Sequence, residues 1–248
     1  MVEFKDTALI LAGHGSTRHA DSSRYTRETA HRIRRRGIFG EVRSAFWKEQ
    51  PSYADALRGL KSKRVVVVPW FLAQGYFTTQ VLAKEFGMEL EWECRITEPV
   101  GMRPEILQHL QKRAARLMQA KKRRPGEVSL LLASHGTPLH AGSRGAAVEL
   151  ARTMAQDGYR AVQAVFLEEE PRIADWRQVA NPGGPVIVLP HFLAGGLHGA
   201  KDVPELLGLP AAEEGWHVVA DQEIGYGEPL GRPEEMEELI LGLATGRG

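Results

Sequence analysis

Residues 65–75 read VVVVPWFLAQG, and residues 186–196 read VIVLPHFLAGG. Seven of these eleven positions are identical at a constant offset of 121 residues. The stretches ALILAGHGST at 8–17 and SLLLASHGTP at 129–138 recur at the same offset. Similarity at one fixed spacing indicates a duplicated structural unit. We therefore predict two similar lobes, residues 1–124 and 125–248, with the boundary near a basic stretch that ends in a Pro-Gly turn.

Short apolar runs alternate with longer amphipathic segments in both halves, which is typical of βαβ units on a parallel sheet. The predicted strands of the first half lie near 8–12, 42–47, 64–70 and 92–97, and its helices near 22–36, 52–60, 79–86 and 104–119. The predicted strands of the second half lie near 129–133, 160–166, 185–190 and 217–220. The pattern predicts an α/β fold of two similar lobes that face each other, each with a parallel sheet flanked by helices.

Composition excludes several classes of protein. The chain is 43% hydrophobic and 25% charged, as in globular proteins, and its net charge of +1 gives no bulk attraction to nucleic acid. Its single cysteine, Cys94, excludes an internal disulfide and leaves no Cys/His spacing for a structural zinc or an iron–sulfur cluster. No apolar run approaches the ~20 residues of a membrane helix, and the N-terminus lacks a signal-peptide pattern. We expect a cytoplasmic protein with no nucleic-acid or membrane partner.

Polar residues cluster where predicted strands end, which is where open parallel sheets bind ligands. His14 and His135 follow the first strand of each half, His198 follows the third strand of the second half, and the run Glu168–Glu170 follows its second strand. Two imidazoles with a carboxylate suit Co²⁺, Fe²⁺, Ni²⁺ or Zn²⁺ better than Mg²⁺ or Ca²⁺. The sequence therefore predicts a transition-metal site in the second half.

Ordinary structural interpretations of these residues stay open. A His-Gly turn before a helix also binds anions or is simply a loop, and a run of glutamates is commonly a solvated surface. His191 is interpreted as a strand-end side chain. The arginines at 32 and 34–36 lie at a helix C-terminus, where cations offset the helix dipole.

The first half lacks most of this chemistry. Phe77 stands in the place of His198, Val81 in that of Asp202, and Lys48 in that of Glu168. We infer that one active constellation remains, in the second half, and that the first half supplies an opposing wall. Its strand-end aromatic residues would suit a large flat ligand, although such residues are often part of a core; they are Trp47, Trp70, Tyr76 and Phe77.

Four repeated elements together resemble one known family. They are the His-Gly-Ser and His-Gly-Thr turns at 14–16 and 135–137, FWKEQP and FLEEEP at 46–51 and 166–171, PHFLAGGLHGAKDVP at 190–204, and EPVG and EPLG at 98–101 and 228–231. They resemble the class II chelatases, in particular the two-repeat sirohydrochlorin cobaltochelatases and ferrochelatases of the CbiX/SirB type. The resemblance covers almost the whole chain, and the stretch from Gly196 to Pro204 is its most specific part.

The resemblance implies two flavodoxin-like lobes that hold a tetrapyrrole in the cleft between them, where Co²⁺ or Fe²⁺ is inserted. By position, His135 and His198 are the catalytic and metal-binding histidines, with Glu168 as a further metal ligand. The metal is a substrate, and no permanently bound cofactor is implied. Other predicted contacts to the substrate or to the ligating residues are His14, Asp202, Glu170, Phe77, Arg144 and Lys201. Arg24 and Arg27 join Arg144 and Lys201 as candidates for a basic rim around the carboxylates of sirohydrochlorin.

In many two-repeat members the histidine pair lies in the N-terminal lobe, whereas this sequence has a complete pair only in the C-terminal lobe. Sirohydrochlorin cobaltochelatase is therefore the first functional hypothesis. Sirohydrochlorin ferrochelatase and a non-catalytic tetrapyrrole-binding or metal-binding paralogue are the alternatives. A hydrolase is disfavoured because Gly-His-Gly-Ser lacks a nucleophile elbow. We expect a monomer, since one chain already contains both lobes.

Overall fold

The computed structural model describes residues 4–17, 20–87, 93–136, 141–180, 184–193, 201–210 and 213–246. The chain divides into two compact units. Unit 1 comprises Met1–Arg103 and Gly231–Gly248, and unit 2 comprises Pro104–Leu230. No helix among the described residues has both the length and the apolar character needed to cross a lipid bilayer.

The described strands of unit 1 form a parallel sheet in the order β2-β1-β3-β4, the order in which flavodoxin-like sheets begin. The central strand, β1, is apolar and completely buried from Ala8 to Ala12 because helices cover both faces of the sheet. The strands are β1 (Phe4–Gly13), β2 (Phe39–Phe46), β3 (Arg64–Pro69) and β4 (Glu93–Ile96). The helices between them are α1 (Arg24–Arg36), α2 (Tyr53–Leu57) and α3 (Leu82–Gly87).

Unit 2 repeats this arrangement and extends it. Its strands are β5 (Ser129–Ser134), β6 (Ala161–Phe166), β7 (Val186–Pro190), β8 (Gly215–Val219) and β9 (Gln222–Tyr226), in the order β6-β5-β7-β9-β8. Its helices are α4 (Pro104–Ala120), α5 (Ala141–Met154), α6 (Trp176–Val179) and α7 (Val203–Leu207). The first three strands therefore have the same order as in unit 1, which confirms the predicted duplication of an α/β fold.

The edge of the second sheet differs from the prediction. The strand predicted at 217–220 is β8, and it runs antiparallel to β9, a strand that the sequence pattern did not predict. The two residues between them, Ala220 and Asp221, have φ angles of 44° and 68°. Positive φ at both central positions is the geometry of a type I′ hairpin turn, and neither residue is the glycine or asparagine that usually marks such a turn. The mainly parallel sheet thus gains one antiparallel edge strand.

The compact units do not coincide with the sequence repeats, because each unit contains a helix from the other repeat. Helix α4 belongs to the first repeat but packs in unit 2, where its Leu117 carbonyl accepts a 2.7 Å hydrogen bond from Trp216 Nε1. Helix α8 (Pro233–Thr245) belongs to the second repeat but packs in unit 1 against α1. The predicted lobes, 1–124 and 125–248, thus describe the repeats in sequence, and the compact units exchange their last helices.

Ion pairs hold α8 in unit 1. Arg32 Nε and Arg36 Nη1 each lie 2.9 Å from a carboxylate oxygen of Glu237, which is only 7% exposed. Arg36 Nη1 also lies 2.8 Å from Glu238, whose side chain is 71% exposed. The two glutamates therefore contact the same helix but differ in burial.

We expect Glu237→Ala to lower the free energy of unfolding by about 2 kcal/mol, because two arginines lose a buried partner. Glu238→Ala is the matched control and should cost less than ~1 kcal/mol, as exposed pairs do. Urea denaturation of both variants measures the difference. Equal effects would show that the buried carboxylate does not anchor α8.

Candidate active site

In both units a histidine directly follows the central strand, and its backbone makes the same hydrogen bonds. The loop after the second strand donates backbone hydrogen bonds to its carbonyl: Lys48 N lies 2.8 Å from His14 O, and Glu168 N lies 3.2 Å from His135 O. The next residues, Gly15 and Gly136, have φ angles of 67° and 66°, which favour glycine. A Cβ on Gly136 would lie 2.7 Å from Glu169 Oε1. Glycine thus allows this turn and the close approach of the glutamate loop.

The His135 imidazole is oriented by its own turn. Its Nδ1 lies 2.7 Å from the Gly136 carbonyl oxygen, which can only accept, so Nδ1 carries the proton and donates it. The neutral ring then holds its lone pair on Nε2, the arrangement found when a backbone carbonyl fixes a metal-binding histidine. Glu168 Oε2 lies 3.8 Å from the same Nδ1. The structure therefore brings His135 and Glu168 together, as the sequence predicts.

His135 lines a pocket of about 410 Å³ at the carboxyl ends of β5 and β6. The pocket contains three carboxylates, those of Glu168, Asp202 and Glu205, between the apolar side chains of Leu167 and Leu206. Its lining is therefore suited to a cation. Within the described residues, no three histidine, cysteine, aspartate or glutamate side chains are arranged to hold a metal ion. The second predicted histidine, His198, lies outside the described residues.

The remaining acidic and basic predictions fall in different places. Asp202 lines the pocket, whereas the exposed Glu170 side chain accepts a 3.0 Å hydrogen bond from Arg172 Nε and does not line it. Lys201, which precedes α7, has its Nζ 3.9 Å from Glu205 Oε1, and both side chains are exposed. Arg24 is exposed above the Tyr25 ring, with 5.2 Å between Cζ and the ring centroid.

Arg144, predicted as a rim residue, holds the loop that carries Glu168. Its guanidinium lies 3.2 Å from Glu169 Oε2, donates to the Glu170 carbonyl at 2.6 Å, and lies above the Phe166 ring. Arg27 makes the same three contacts in unit 1. Its partners are Glu49, the Gln50 carbonyl and the Phe46 ring. The sequence repeat does not reveal this shared role, because the two arginines follow their histidines by 13 and 9 residues and no fixed offset pairs them.

The equivalent position in unit 1 has aromatic packing in place of carboxylates. His14 Nδ1 lies 2.9 Å from Gly15 O, as in unit 2, but its ring meets the Phe77 ring edge to face at 4.8 Å. Trp47 also contacts Phe77, with 6.0 Å between ring centroids. Lys48 lies beside Trp47, in the place of Glu168. The predicted divergence of the two halves is thus visible in the side chains around one shared backbone turn.

A buried histidine adjoins the site in unit 2. His191 follows β7 and is fully buried, and its Nδ1 lies 3.4 Å from Ser134 Oγ, one residue before His135. Among the described residues its Nε2 has no hydrogen-bonding partner. Burial lowers the pKa of His191 from 6.5 to about 4, because the charged ring cannot be solvated there. The sequence offered no signal for this beyond the place of His191 at a strand end.

Comparison with known proteins agrees with this architecture. The family model described as CbiX matches residues 8–117 and 129–244. A probable sirohydrochlorin cobaltochelatase from Halobacterium salinarum is 32% identical over 222 residues, which cover 80% of this chain and 75% of that protein. The solved structure of CbiX, described as the terminal enzyme for biosynthesis of siroheme in denitrifying bacteria, superposes with a TM-score of 0.70 at 23% identity. The match covers 95% of this chain and 98% of the chain in that structure.

A multi-domain protein from Deinococcus radiodurans, described as structurally similar to chelatases and as having two additional domains, also shares the fold. Its TM-score is 0.73 at 24% identity, and the match covers 96% of this chain. The present chain spans 54% of the length of that protein.

We expect the neutral His191 ring to make stability depend on pH. Its folded-state pKa of about 4 lies below the ordinary value of 6.5, so its contribution is fully present above pH 6.5 and is lost as the pH falls toward 4. The loss should amount to roughly 3 kcal/mol. In urea unfolding at several pH values, His191→Leu should lose less stability over this interval than the wild type. An identical pH dependence in both proteins would contradict the burial of a neutral imidazole.

Proposed function

This chain belongs to the CbiX family, and we propose that it inserts a divalent metal ion, Co²⁺ first of all, into sirohydrochlorin. The observation that carries the proposal is the His135 ring, oriented by a backbone carbonyl, in a pocket lined by three carboxylates. The name of the Halobacterium relative supports cobalt as the metal. In this proposal the ion is a substrate, and the reaction uses no permanently bound cofactor.

Metal insertion sets chemical demands that this pocket meets. The ion must lose part of its water shell, and two pyrrole N–H groups must lose their protons. Carboxylates attract the ion to the pocket, and an imidazole nitrogen can either bind it or accept a proton near neutral pH. We assign these tasks to His135 Nε2 together with His198, without dividing them between the two rings.

Glu168 has a further role in this proposal. Its carboxylate lies beside Nδ1 of His135, the nitrogen that carries the proton. From there it stabilises a positively charged imidazole, which forms when Nε2 accepts a proton from the pyrrole. We therefore propose that Glu168 supports proton transfer by His135 in addition to any contact with the metal. Asp202 and Glu205 complete the acidic lining.

The cellular setting is part of the proposal. Both repeats are present in one chain, so no second copy is required to supply the other lobe, and we propose a cytoplasmic monomer. Size-exclusion chromatography with light scattering would give the mass in solution. A mass of about twice 27.5 kDa would show a dimer and contradict the proposed monomer.

We expect His135→Ala and His198→Ala each to lower the rate of metal insertion by about 100-fold or more, since each removes a group that binds the ion or moves a proton. His14→Ala is the matched control, because it removes the equivalent ring from unit 1 and should have a smaller effect. The change in the absorption spectrum of sirohydrochlorin on addition of Co²⁺ measures the rate. A parallel series with Fe²⁺ tests the metal.

Two results would contradict this assignment. If His14→Ala abolished insertion while His198→Ala stayed active, the reaction would belong to unit 1. If the wild type bound sirohydrochlorin but turned over neither metal, the chain would be a tetrapyrrole-binding member of the family and not an enzyme.

A further inference from the structure

The residue that precedes the strand-end histidine is held differently in the two units. In unit 1 this residue is Gly13, and its carbonyl accepts a buried 2.7 Å hydrogen bond from the hydroxyl of Tyr53. The segments at 46–51 and 166–171 match at an offset of 120, so the counterpart of Tyr53 is Ile173. Isoleucine has no side-chain donor, and unit 2 therefore cannot make this hydrogen bond.

Unit 2 has a buried pair of polar side chains at this position instead. The residue that precedes His135 is Ser134, and its Oγ lies 3.4 Å from Nδ1 of His191. Ser134 and His191 are each 1% exposed, and at an offset of 121 they replace Gly13 and Trp70 of unit 1. The serine hydroxyl can donate to the ring nitrogen or accept from it.

The backbone of the fold does not require this polar pair. In unit 2 the backbone N of His191 donates to the Ala133 carbonyl at 2.7 Å. In unit 1 the backbone N of Trp70 donates to the Ala12 carbonyl at 2.8 Å, without a polar pair beside it. The pair is also costly, since a buried polar atom without a partner is unfavourable, and in the part of the chain that the structure describes His191 Nε2 has none. Stability alone therefore does not account for it.

Ser134 connects the two groups that line the candidate site. Its carbonyl accepts a 3.2 Å hydrogen bond from Leu167 N, in the loop that carries Glu168. Its own peptide bond leads directly to His135. A shift of Ser134 would therefore move the imidazole and the carboxylate relative to each other, and His135 Nδ1 lies 3.8 Å from Glu168 Oε2.

We propose that His191 is a positioning residue for metal insertion. Its contact with Ser134 fixes the end of β5, and this holds the His135 imidazole beside the Glu168 carboxylate in the geometry that binds the ion. Because His191 is buried, it acts through Ser134 and does not itself touch the ion or the pigment. The inference rests on the proposed function and adds a residue that acts on the same site from the protein interior.

The first test is the visible spectrum of Co²⁺ bound to the full-length protein, because this spectrum reports the geometry of the ligands around the ion. His191→Leu should change the spectrum and raise the dissociation constant for Co²⁺ about tenfold. Ser134→Ala removes the same contact from the other side and should reproduce both effects. His191→Asn keeps a donor and an acceptor near the Ser134 hydroxyl, and it should restore the affinity to within about threefold of the wild type.

The second test separates chemistry from pigment binding. His191→Leu should lower the rate of Co²⁺ insertion at saturating substrate about tenfold, because the reacting groups are displaced, while KM for sirohydrochlorin stays within about twofold. Tyr53→Phe is the matched control, since it removes the corresponding hydrogen bond from unit 1. It should leave the Co²⁺ spectrum unchanged and the insertion rate within about twofold of the wild type.

The outcomes distinguish this inference from the proposed function. Wild-type spectra and rates in both His191→Leu and Ser134→Ala, or an equal loss in Tyr53→Phe, would overturn the inference even if the wild type inserts metal. A loss in His191→Leu that His191→Asn does not restore would also overturn it, because the imidazole would then only fill space. Altered Co²⁺ spectra with rescue by His191→Asn would support it even if the wild type binds Co²⁺ without inserting it.

Discussion

The hydrogen bonds that the loop after the second strand donates to a histidine carbonyl organise both halves of this protein. They bring residue 48 beside His14 and residue 168 beside His135. Because they involve only the backbone, they persist when the side chains change. The parallel order of the first three strands in each sheet then places the ends of these strands at one edge. The residues of the candidate site in unit 2 and their counterparts in unit 1 lie on this repeated backbone frame.

One frame with two sets of side chains explains how the repeats can differ in role without differing in fold. Arg27 and Arg144 hold the same loop in each unit, through an acidic side chain, a carbonyl and a phenylalanine ring. With the loop fixed, the lysine at position 48 and the glutamate at position 168 give opposite local charges on the same backbone. The acidic pocket in unit 2 and the packing of His14, Trp47 and Phe77 in unit 1 are the two results.

The exchange of helices makes each compact unit depend on both repeats. Helix α4 contributes buried apolar residues to unit 2, among them Ile106, Leu110 and Leu117, and α8 contributes Leu239 and Ile240 to unit 1. Burial of these side chains is the main driving force for the association of each helix with its sheet. A cut between the repeats would therefore leave each sheet without the helix that covers part of it. In this protein the boundaries of the sequence repeats therefore differ from those of the compact units.

Much of the fold and part of the site were predictable from the sequence. Repetition at a fixed offset predicted the two halves, and the alternation of apolar runs with amphipathic segments predicted the α/β class. Both signals are present in the order of residues along the chain and do not depend on which residues are in contact. The same signals put His14, His135 and Glu168 at strand ends, and the rule that parallel strands end at one edge brought His135 and Glu168 together. The assignment of His198 stays a prediction, since it lies outside the described residues.

Other features were decided only by tertiary structure, because they depend on contacts between residues far apart in the chain. Leu117 and Trp216, 99 residues apart, place α4 in unit 2, and Arg32 and Glu237, 205 residues apart, place α8 in unit 1. The β8–β9 turn has neither glycine nor asparagine, and the burial that lowers the pKa of His191 is set by its neighbours in space. The sequence by itself determined what was repeated and where the chemistry could lie. The fold decided which helix covers which sheet and how each polar group is solvated, since packing and desolvation are properties of the assembled chain.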